Sequence, residues 1–281
     1  MSGTDDLDRK ARFDHAYNAP DPRAYFAALR ALSYEVPAHA EPVFRRLLEA
    51  QAAARPLVVD VACSYGVNAA LLNHEVTLGE LYERYTDELA DTSDTAAVAA
   101  RDERFYAARR RQDAVAVVGL DIADRAVAYA VRVGLLAAGF SDDLEAAAPS
   151  AELAGAVRDA TFVTVTGGIG YIGAATFERL LHPMQRSPWV AAFVLRVVDA
   201  EPTLAALRRH GLVVDRLEGA TFPQRRFASD EERAFALERL ADRGIDPTGK
   251  EAGGWYHTDL YVATPPGARP DIRALLDPLL G

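Results

Sequence analysis

Two aspartates stand at the ends of predicted buried strands, where side chains can meet a ligand. Asp60 lies in "PLVVDVA" and Asp121 lies in "VVGLDIA". In a doubly wound sheet the ligand crevice lies at the carboxyl ends of the strands. A carboxylate there can accept hydrogen bonds from both hydroxyls of a ribose, so we expect Asp121 to bind a nucleoside. Two other roles stay open, a helix N-cap for Asp121 and a partner of loop amides for Asp60.

The turn "ACSYG", between the first strand and the helix "GVNAALLNH", is poor in glycine. Nucleotide-binding turns of this kind usually carry three glycines, because the backbone bends tightly and passes close to the ligand. Here Gly66 is kept, and the small residues Ala62 and Ser64 allow a close approach provided that neither needs a positive φ angle. A nicotinamide dehydrogenase places its pyrophosphate on such a turn, so the missing glycines argue against that class.

A glycine-rich stretch, "TVTGGIGYIG", follows the third strong strand. Thr166, Gly167 and Gly168 would let the backbone pass close to a ligand, and Tyr171 would point into the site. A flexible loop is the alternative reading. The stretch therefore predicts one wall of the ligand site, with Tyr171 as a candidate catalytic side chain.

Other candidates for proton transfer or nucleophilic chemistry are few. His74 ends the first helix after "ACSYG" and His257 lies on the final strand, so each is a candidate general base, although a single histidine is more often structural. Cys63 in the turn is interpreted as a small packing residue rather than a nucleophile. The six histidines form no HxH or HxxxH pair, and a single cysteine excludes a cysteine-rich metal site. We therefore predict that the protein binds no metal.

The charge balance limits the possible partners. The 281-residue chain has 31 Lys and Arg against 41 Asp and Glu, and its net charge of -10 would repel a phosphate backbone. The sequence contains no run of about 20 apolar residues and no signal-peptide pattern. We therefore expect a cytoplasmic monomer or homodimer that binds neither nucleic acid nor membrane.

An alternating series of strands and helices must position these side chains. After a helical segment come the strands "PLVVDVA", "AVAVVGLDIA", "ATFVTVTGG", "WVAAFVLRVV", "LVVDRLEG" and "WYHTDLYVAT", with amphipathic helices between most of them. This order predicts an α/β fold with a doubly wound, mostly parallel sheet. We assign residues 1–50 to an N-terminal lid, 51–265 to one catalytic domain and 266–281 to a C-terminal tail.

Two polar, mostly helical segments interrupt the series, at about 77–112 and 221–254. The first begins with Thr77 and Glu80 at the spacing of a capping box. Together with the lid, both insertions are predicted to cover the site at the carboxyl ends of the strands.

Candidate substrate contacts come from the lid and from the second insertion. Tyr17, Tyr25 and Tyr34 could close over a small molecule, although aromatic residues at such spacing are more often core residues. Arg225 and Arg226 in "TFPQRRF" could bind a carboxylate or phosphate with their planar guanidinium groups. The alternative is salt bridges to the neighbouring "SDEE". On this basis we expect the substrate to be a small carboxylated or hydroxylated metabolite.

Taken in order, the motifs resemble those of class I S-adenosylmethionine-dependent methyltransferases. "VVDVACSYG" resembles the first motif of the family and "VVGLDIADRAVAYA" the second. The pair "LVVDRLEG" and "WYHTDLYVAT" resembles the last two strands, of which the seventh is antiparallel. The resemblance spans roughly 55–265, and it departs from the family at Ala62 and Ser64, where glycine is usual. It implies a seven-stranded Rossmann-like methyltransferase fold.

The resemblance also implies a cofactor and a reaction. S-adenosyl-L-methionine would be converted to S-adenosyl-L-homocysteine, and its binding residues would be Asp60, Ala62, Cys63, Ser64, Gly66, Asp121, Ile122, Thr166, Gly167 and Gly168. In-line methyl transfer needs alignment and a desolvated site more than a strong catalytic motif. The Asn-Pro-Pro-aromatic sequence of the family is missing, and we expect a small-molecule methyltransferase. The alternatives are aminocarboxypropyl transfer, cyclisation and a non-catalytic Rossmann-like binding module.

Overall fold

A mixed β-sheet organises the chain. The computed structural model describes residues 14–92, 94–268 and 270–279. The strands are β1 (Leu57–Val61), β2 (Ala116–Leu120), β3 (Ala138–Phe140), β4 (Phe162–Thr166), β5 (Trp189–Leu195), β6 (Val213–Arg216), β7 (Phe222–Arg226) and β8 (Trp255–Thr264). Most of them are short apolar runs, and β5 is buried along its whole length, as expected for a strand that is covered on both faces.

The strand order is β3-β2-β1-β4-β5-β8-β6. Strands β1 to β5 are parallel, whereas β8 runs antiparallel to both β5 and β6. The chain builds outward from β1 to β3 and then returns to place β4 on the other side of β1. Ligands of doubly wound sheets bind where the strand order reverses in this way. The carboxyl ends of β1 and β4 are therefore where the site should lie.

The edge beyond β8 consists of two strands in line. β6 pairs with the second half of β8, and β7 pairs with the first half, with Phe222 opposite Thr258. Eight strands thus occupy seven positions, which confirms the predicted seven-stranded, mostly parallel sheet with an antiparallel member. The second insertion was predicted to be mostly helical, and this is wrong at its start, because residues 222–226 form β7. Pro223 is tolerated there because β7 is an edge strand.

Helices cover both faces of the sheet. They are α1 (Asp14–Tyr17), α2 (Arg23–Arg30), α3 (Val36–Gln51), α4 (Val67–Asn73), α5 (Leu78–Glu83), α6 (Thr95–Arg109), α7 (Asp124–Arg132), α8 (Ala151–Val157), α9 (Ala174–Leu181), α10 (Glu201–Arg209), α11 (Asp230–Asp242) and α12 (Ile272–Leu276). A π-helical turn, Arg84–Glu88, follows α5, and short 3₁₀ turns occupy Glu251–Gly253 and Asp277–Leu279. None of the helices in these described ranges is both long and apolar enough to cross a membrane.

The pleat of the strands divides the core into two layers. Val58 of β1 packs with the helices of the lid, the first insertion and α7, whereas Val59 and Val61 pack with α8, α9 and α10. The period-2 alternation of a strand produces this division. The lid therefore shares one hydrophobic core with the sheet.

The first insertion is helical, as predicted, and its capping box is confirmed. The amide of Glu80 donates to Thr77 Oγ1 at 3.2 Å, and the amide of Thr77 donates to Glu80 Oε2 at 2.7 Å. A buried network then ties the insertion to α7, because Asp102 accepts hydrogen bonds from Arg84 and from the hydroxyls of Tyr85 and Tyr129. Fully buried acidic residues usually need such partners.

Candidate functional site

The turn after β1 keeps a left-handed backbone at three alternate positions. Ala62 has φ 57°, Ser64 has φ 47° and Gly66 has φ 74°. Only glycine adopts this region without strain, and an L residue there costs roughly 1–2 kcal/mol. The condition attached to the sequence interpretation, that neither small residue needs a positive φ, is therefore not met. Strained backbone of this kind clusters at ligand sites, and the turn retains the shape that three glycines would give it.

Asp121 holds the turn against the end of β2. The amide of Ser64 donates to Asp121 Oδ2 at 2.8 Å, and the amide of Ala123 donates to Oδ1 at 2.9 Å. The N-cap position of α7 is occupied by Ala123, so the alternative of a helix N-cap for Asp121 is wrong. Burial raises the pKa of this carboxyl. Each carboxylate oxygen can still accept a further hydrogen bond, which leaves capacity for two ligand hydroxyls.

Asp60 lies behind the turn with one oxygen satisfied and one not. Its Oδ1 accepts from Thr164 Oγ1 at 2.8 Å and from Asn68 Nδ2 at 2.9 Å. Its Oδ2 has no hydrogen-bond partner among the described residues, although the side chain is 1% exposed. Burial raises the pKa of Asp60 to about 6. Its partners are side chains rather than loop amides, and the free oxygen needs a donor from outside the described chain.

Asn68 was missed by the sequence analysis. It lies in the first turn of α4, and its Nδ2 also donates to Thr166 Oγ1 at 3.0 Å. It thereby joins the carboxyl ends of β1 and β4. Its position two residues after Gly66, on a helix that starts at the site, was the available signal.

Several predicted site residues expose apolar surface. The exposed fraction is 72% for Ile122, 52% for Tyr171 and 37% for Tyr17. Ile122 directly follows Asp121, so its exposed side chain offers an apolar surface beside that carboxylate. Cys63, in contrast, is buried, and burial raises the pKa of its thiol well above the usual value. A thiol of this kind is inert, which supports its interpretation as a packing residue.

The lid docks on the turn through hydrogen bonds. The hydroxyl of Tyr65 donates to the carbonyl of Ala19 at 2.7 Å. Asn18 bridges to the start of α7, where it donates to Asp124 and accepts from the amide of Arg125, both at 2.9 Å. The residues just after α1 are thus fixed over the first motif.

A cluster of tyrosines roofs the site. The rings of Tyr17 and Tyr25 are 5.2 Å apart, and Tyr25 also packs against Tyr65. Burial raises the pKa of the Tyr34 phenol, whereas the nearby side chain of Thr166 lowers it. The hydroxyl of Tyr82 donates to the backbone carbonyl of Tyr34 at 2.5 Å. Tyr25 is 5% exposed and belongs to the core that the lid shares with the sheet, as in the alternative interpretation, whereas Tyr17 is partly exposed. Tyr82, which had no sequence signal of its own, joins them from the first insertion.

Burial and neighbouring oxygens keep the roof phenols neutral. Burial, followed by the proximity of Tyr171, raises the pKa of Tyr17 to about 12, although Arg225 lowers it. Burial also raises the pKa of Tyr34 well above its usual range. Asp121 acts on Tyr17 and Asp60 acts on Tyr34 in the same direction. Tyr17 therefore lies within electrostatic range of Asp121, and Tyr34 within range of Asp60.

The glycine-rich stretch after β4 makes close contacts. Gly167 has φ 72°, and a Cβ atom there would lie 2.2 Å from Nε2 of Gln224. At Gly168 a Cβ atom would meet the methyl group of Ala62 at 2.7 Å. Gly168 is thus required by packing and Gly167 by its left-handed backbone, which the reading as a flexible loop does not explain. Gln224, on β7, was missed by the sequence analysis although it lies inside "TFPQRRF".

The two arginines of that stretch have different surroundings. Arg225 is buried and forms a bidentate pair with Glu232, with N–O distances of 2.6 and 3.0 Å. Arg226 is exposed, and its guanidinium lies 4.8 Å from the ring centre of Trp255. The charge of Arg225 is therefore already compensated, so it is poorly suited to bind a substrate carboxylate. Its partner comes from "SDEE", as in the alternative interpretation.

The histidines make structural contacts. His74 lies at the end of α4 that is remote from the turn, and its Nδ1 is 3.1 Å from the carbonyl of Ala70. The ring of His257 on β8 hydrogen-bonds with Thr221 at 3.0 Å. Burial lowers the pKa of both, to about 4 for His257. No group of three or more potential metal ligands occurs within the described ranges.

Comparisons with known proteins concern the fold. No protein-family model matches the sequence, and no curated protein matches it. Similar solved structures include a TehB-like methyltransferase from Corynebacterium glutamicum, with 11% identity, 77% of this chain and 84% of that chain covered and a TM-score of 0.39.

Two further similar structures are named for different reactions. One is an O-methyltransferase from a trans-AT polyketide synthase of Brevibacillus brevis in complex with S-adenosyl-L-homocysteine, with 12% identity, coverage of 84% and 75% and a TM-score of 0.39. The other is a precorrin 8W decarboxylase from Methanobacterium thermoautotrophicum, with 13% identity, coverage of 78% and 88% and a TM-score of 0.36. At these identities and TM-scores, conclusions about chemistry depend on this chain's own residues.

Proposed function

We propose that this protein is an S-adenosylmethionine-dependent methyltransferase that acts on a small molecule. The observation that carries the proposal is the left-handed turn at Ala62, Ser64 and Gly66, with Asp121 anchored to it and Oδ2 of Asp60 left without a partner among the described residues. A strained turn and an unpaired buried carboxylate oxygen at the switch point of the sheet both require a ligand to explain them.

The residues present fit this cofactor. Asp121 has acceptor capacity for the two ribose hydroxyls, and exposed Ile122 offers an apolar surface for the adenine ring. The free oxygen of Asp60 and the buried hydroxyl of Ser64, also without a partner in the described part of the chain, suit the polar methionine end. When bound, the sulfonium supplies an activated methyl group for in-line transfer.

The chain would contribute alignment and a dry site. The lid and the first insertion bring Tyr17, Tyr25, Tyr34 and Tyr82 over the carboxyl ends of β1 and β4. Holding two reactants in a fixed geometry can supply several kcal/mol of a barrier. We therefore propose that residues 1–50, of which 1–13 lie outside the described ranges, act as the lid and that residues 51–265 form the catalytic domain.

The covering elements and the net charge disfavour large or polyanionic substrates. Covering elements over the carboxyl ends of β1 and β4 would exclude a protein surface or a duplex, and the net charge of -10 disfavours nucleic acid. A cytoplasmic location, with a monomer or homodimer, remains our expectation.

Calorimetry with S-adenosyl-L-homocysteine tests the proposal. The protein should bind this product in the low micromolar range or tighter, and Asp121→Ala should weaken binding by about 2 kcal/mol, as for lost hydrogen bonds to a charged acceptor. The matched control is Asp113→Ala, since this exposed carboxylate pairs with Arg45 away from the turn. Equal affinity in wild type and Asp121→Ala would refute the ribose assignment.

Product mass separates the reactions that share this cofactor. Methyl transfer adds one methyl group to the acceptor, whereas aminocarboxypropyl transfer adds a larger group and cyclisation consumes no acceptor. Binding of the cofactor without turnover of any small molecule would instead favour the non-catalytic binding module.

A further inference from the structure

Exposed large hydrophobic side chains concentrate around one crevice. The described ranges contain four of them, and Tyr17, Ile122 and Tyr171 belong to the candidate site. The fourth, Val131, lies beside β3 at the far edge of the sheet. Apolar side chains scattered singly over a surface need no explanation, whereas a group of them marks a ligand-binding groove. Ile122 is assigned above to the adenine ring, so the two tyrosines are left for the substrate.

Tyr171 lies on a short loop, residues 168–172, that is closed on itself. The amides of Tyr171 and Ile172 both donate to the carbonyl of Gly168, at 3.0 and 3.2 Å. Ile169 is buried in the core layer formed with α8, α9 and α10, and Ile172 packs against the same layer. The aromatic ring is thus exposed although its neighbours on the loop are packed.

Both ends of this loop are joined to other parts of the structure. A Cβ atom at Gly168 would lie 2.7 Å from the methyl group of Ala62, so the loop rests on the strained turn after β1. At the other end, the amide of Gly173 donates to Oε1 of Glu145 at 2.8 Å, which fixes the start of α9. The ring is therefore held beside the cofactor turn before a ligand arrives, and a contact group that is already ordered loses little entropy on binding.

Tyr17 reaches the same turn from the lid. The carbonyl of Ala19, two residues further along, accepts a hydrogen bond from the hydroxyl of Tyr65, which belongs to the turn. The pKa of Tyr17 is raised to about 12, chiefly by burial and then by the proximity of Tyr171, so its phenol is neutral. Two neutral rings from separate elements therefore border the crevice.

Two exposed tyrosine rings favour a planar aromatic ligand. A tyrosine ring packs offset-stacked or edge to face against another aromatic ring, with about 4.5–7 Å between the ring centres, because its face is negative and its edge is positive. Ring faces also attract cations, but cation recognition typically uses a cage of several rings. Since Arg225 is compensated by Glu232, the ion pair expected from the sequence is not available to a substrate carboxylate.

We propose, on the basis of the methyltransferase function above, that the substrate is a small aromatic molecule whose ring packs between Tyr171 and Tyr17. Tyr171 then binds the substrate through its ring and transfers no proton, in contrast to the catalytic role considered from the sequence. Contact between aromatic rings takes the place of the ion pair that the two arginines of β7 had suggested.

Pools of small molecules test the substrate class in the intact protein. Wild-type protein is incubated with S-adenosylmethionine that carries a radioactive methyl group and with one of three pools: phenols, indoles and aromatic amines; aliphatic alcohols and carboxylic acids; or aliphatic amines. Label should enter the aromatic pool. Faster labelling of either aliphatic pool, or no label in any pool while calorimetry shows S-adenosyl-L-homocysteine binding, overturns the aromatic substrate. Absence of that binding overturns the methyltransferase function itself.

Two variants of Tyr171 then separate its ring from its hydroxyl. Tyr171→Leu keeps an apolar side chain and removes the ring, so the KM of the aromatic substrate found above should rise about three- to tenfold. Tyr171→Phe, which restores a ring without the hydroxyl, should recover most of this loss. The affinity for S-adenosyl-L-homocysteine should be the same in both variants, because the loop contacts the cofactor turn through Gly168 and not through the ring.

The matched control is Val131→Thr, since Val131 is exposed on α7 outside the crevice, and its KM should equal that of the wild type. An unchanged KM in Tyr171→Leu, or a kcat that falls equally in both Tyr171 variants, overturns the role of the ring. Tyr17→Leu examines the other side of the crevice and should raise the KM by a similar factor. An unchanged KM in Tyr17→Leu overturns the contact from both sides.

Discussion

Replacement of Ser64 by glycine should stabilise the cofactor-free protein. Ser64 has φ 47° and carries a buried hydroxyl without a partner among the described residues. Relief of the left-handed strain contributes roughly 1–2 kcal/mol, and removal of the unpaired hydroxyl contributes about 1 kcal/mol. The greater freedom of glycine in the unfolded chain costs about 0.5–1 kcal/mol. We therefore expect Ser64→Gly to raise the free energy of unfolding by about 1–2 kcal/mol.

Urea unfolding of the apoprotein measures this quantity, and two variants separate its parts. Ser64→Ala removes the hydroxyl and keeps the strain, so it should give about half of the gain. Gly134→Ala provides the reverse change, because Gly134 has φ 78° and a Cβ atom there meets no described atom within 4 Å. It should lose about 1 kcal/mol by backbone conformation alone. If Ser64→Gly is no more stable than Ser64→Ala, the turn is not strained and the reasoning fails.

Three further predictions concern the surroundings of the turn. Glu232→Gln should lower the free energy of unfolding by about 3–5 kcal/mol, because it leaves Arg225 buried without its charge partner. In the same urea assay, the double variant Arg225→Met/Glu232→Leu should recover most of this loss. The pKa of Asp60 is raised to about 6, so the folded chain binds this proton more tightly than the unfolded chain does. As the pH rises from about 4 to about 6, deprotonation of Asp60 should lower the free energy of unfolding of the wild-type apoprotein by up to about 3 kcal/mol. Asp60→Asn should remove that part of the pH dependence, and a parallel curve for both proteins would contradict the assignment. Tyr65→Phe deletes the hydrogen bond to Ala19, so hydrogen exchange in residues 14–20 should accelerate by about fivefold, with exchange in the sheet unaffected. Exchange as slow as in the wild type would show that this bond does not hold the lid.

The sequence by itself determined the series of elements and the place of the site. Apolar runs such as "VVDVA" specify buried strands, and Thr77 with Glu80 specifies a helix start, since both signals depend on residues close together in the chain. Asp60, Asp121 and Gly66 could be assigned to one crevice because parallel strands present their carboxyl ends at one edge. Local pattern and sheet geometry were sufficient for these predictions.

The tertiary structure decided what contacts what. The left-handed turn at Ala62 and Ser64 is held by a hydrogen bond from the amide of Ser64 to Asp121, which follows a strand distant in sequence. In the same way, the partner of Arg225 and the approach of Gln224 to Gly167 follow from how β7 pairs with β8.

β7 itself escaped prediction because Pro223 and two charged residues mask a short edge strand, and its place is fixed by pairing rather than by propensity. Tyr82 likewise joins the tyrosine cluster only when the first insertion packs against the lid. Hydrogen bonds and burial between remote segments carry no periodic signal, so the contacts within the candidate site became visible only in three dimensions.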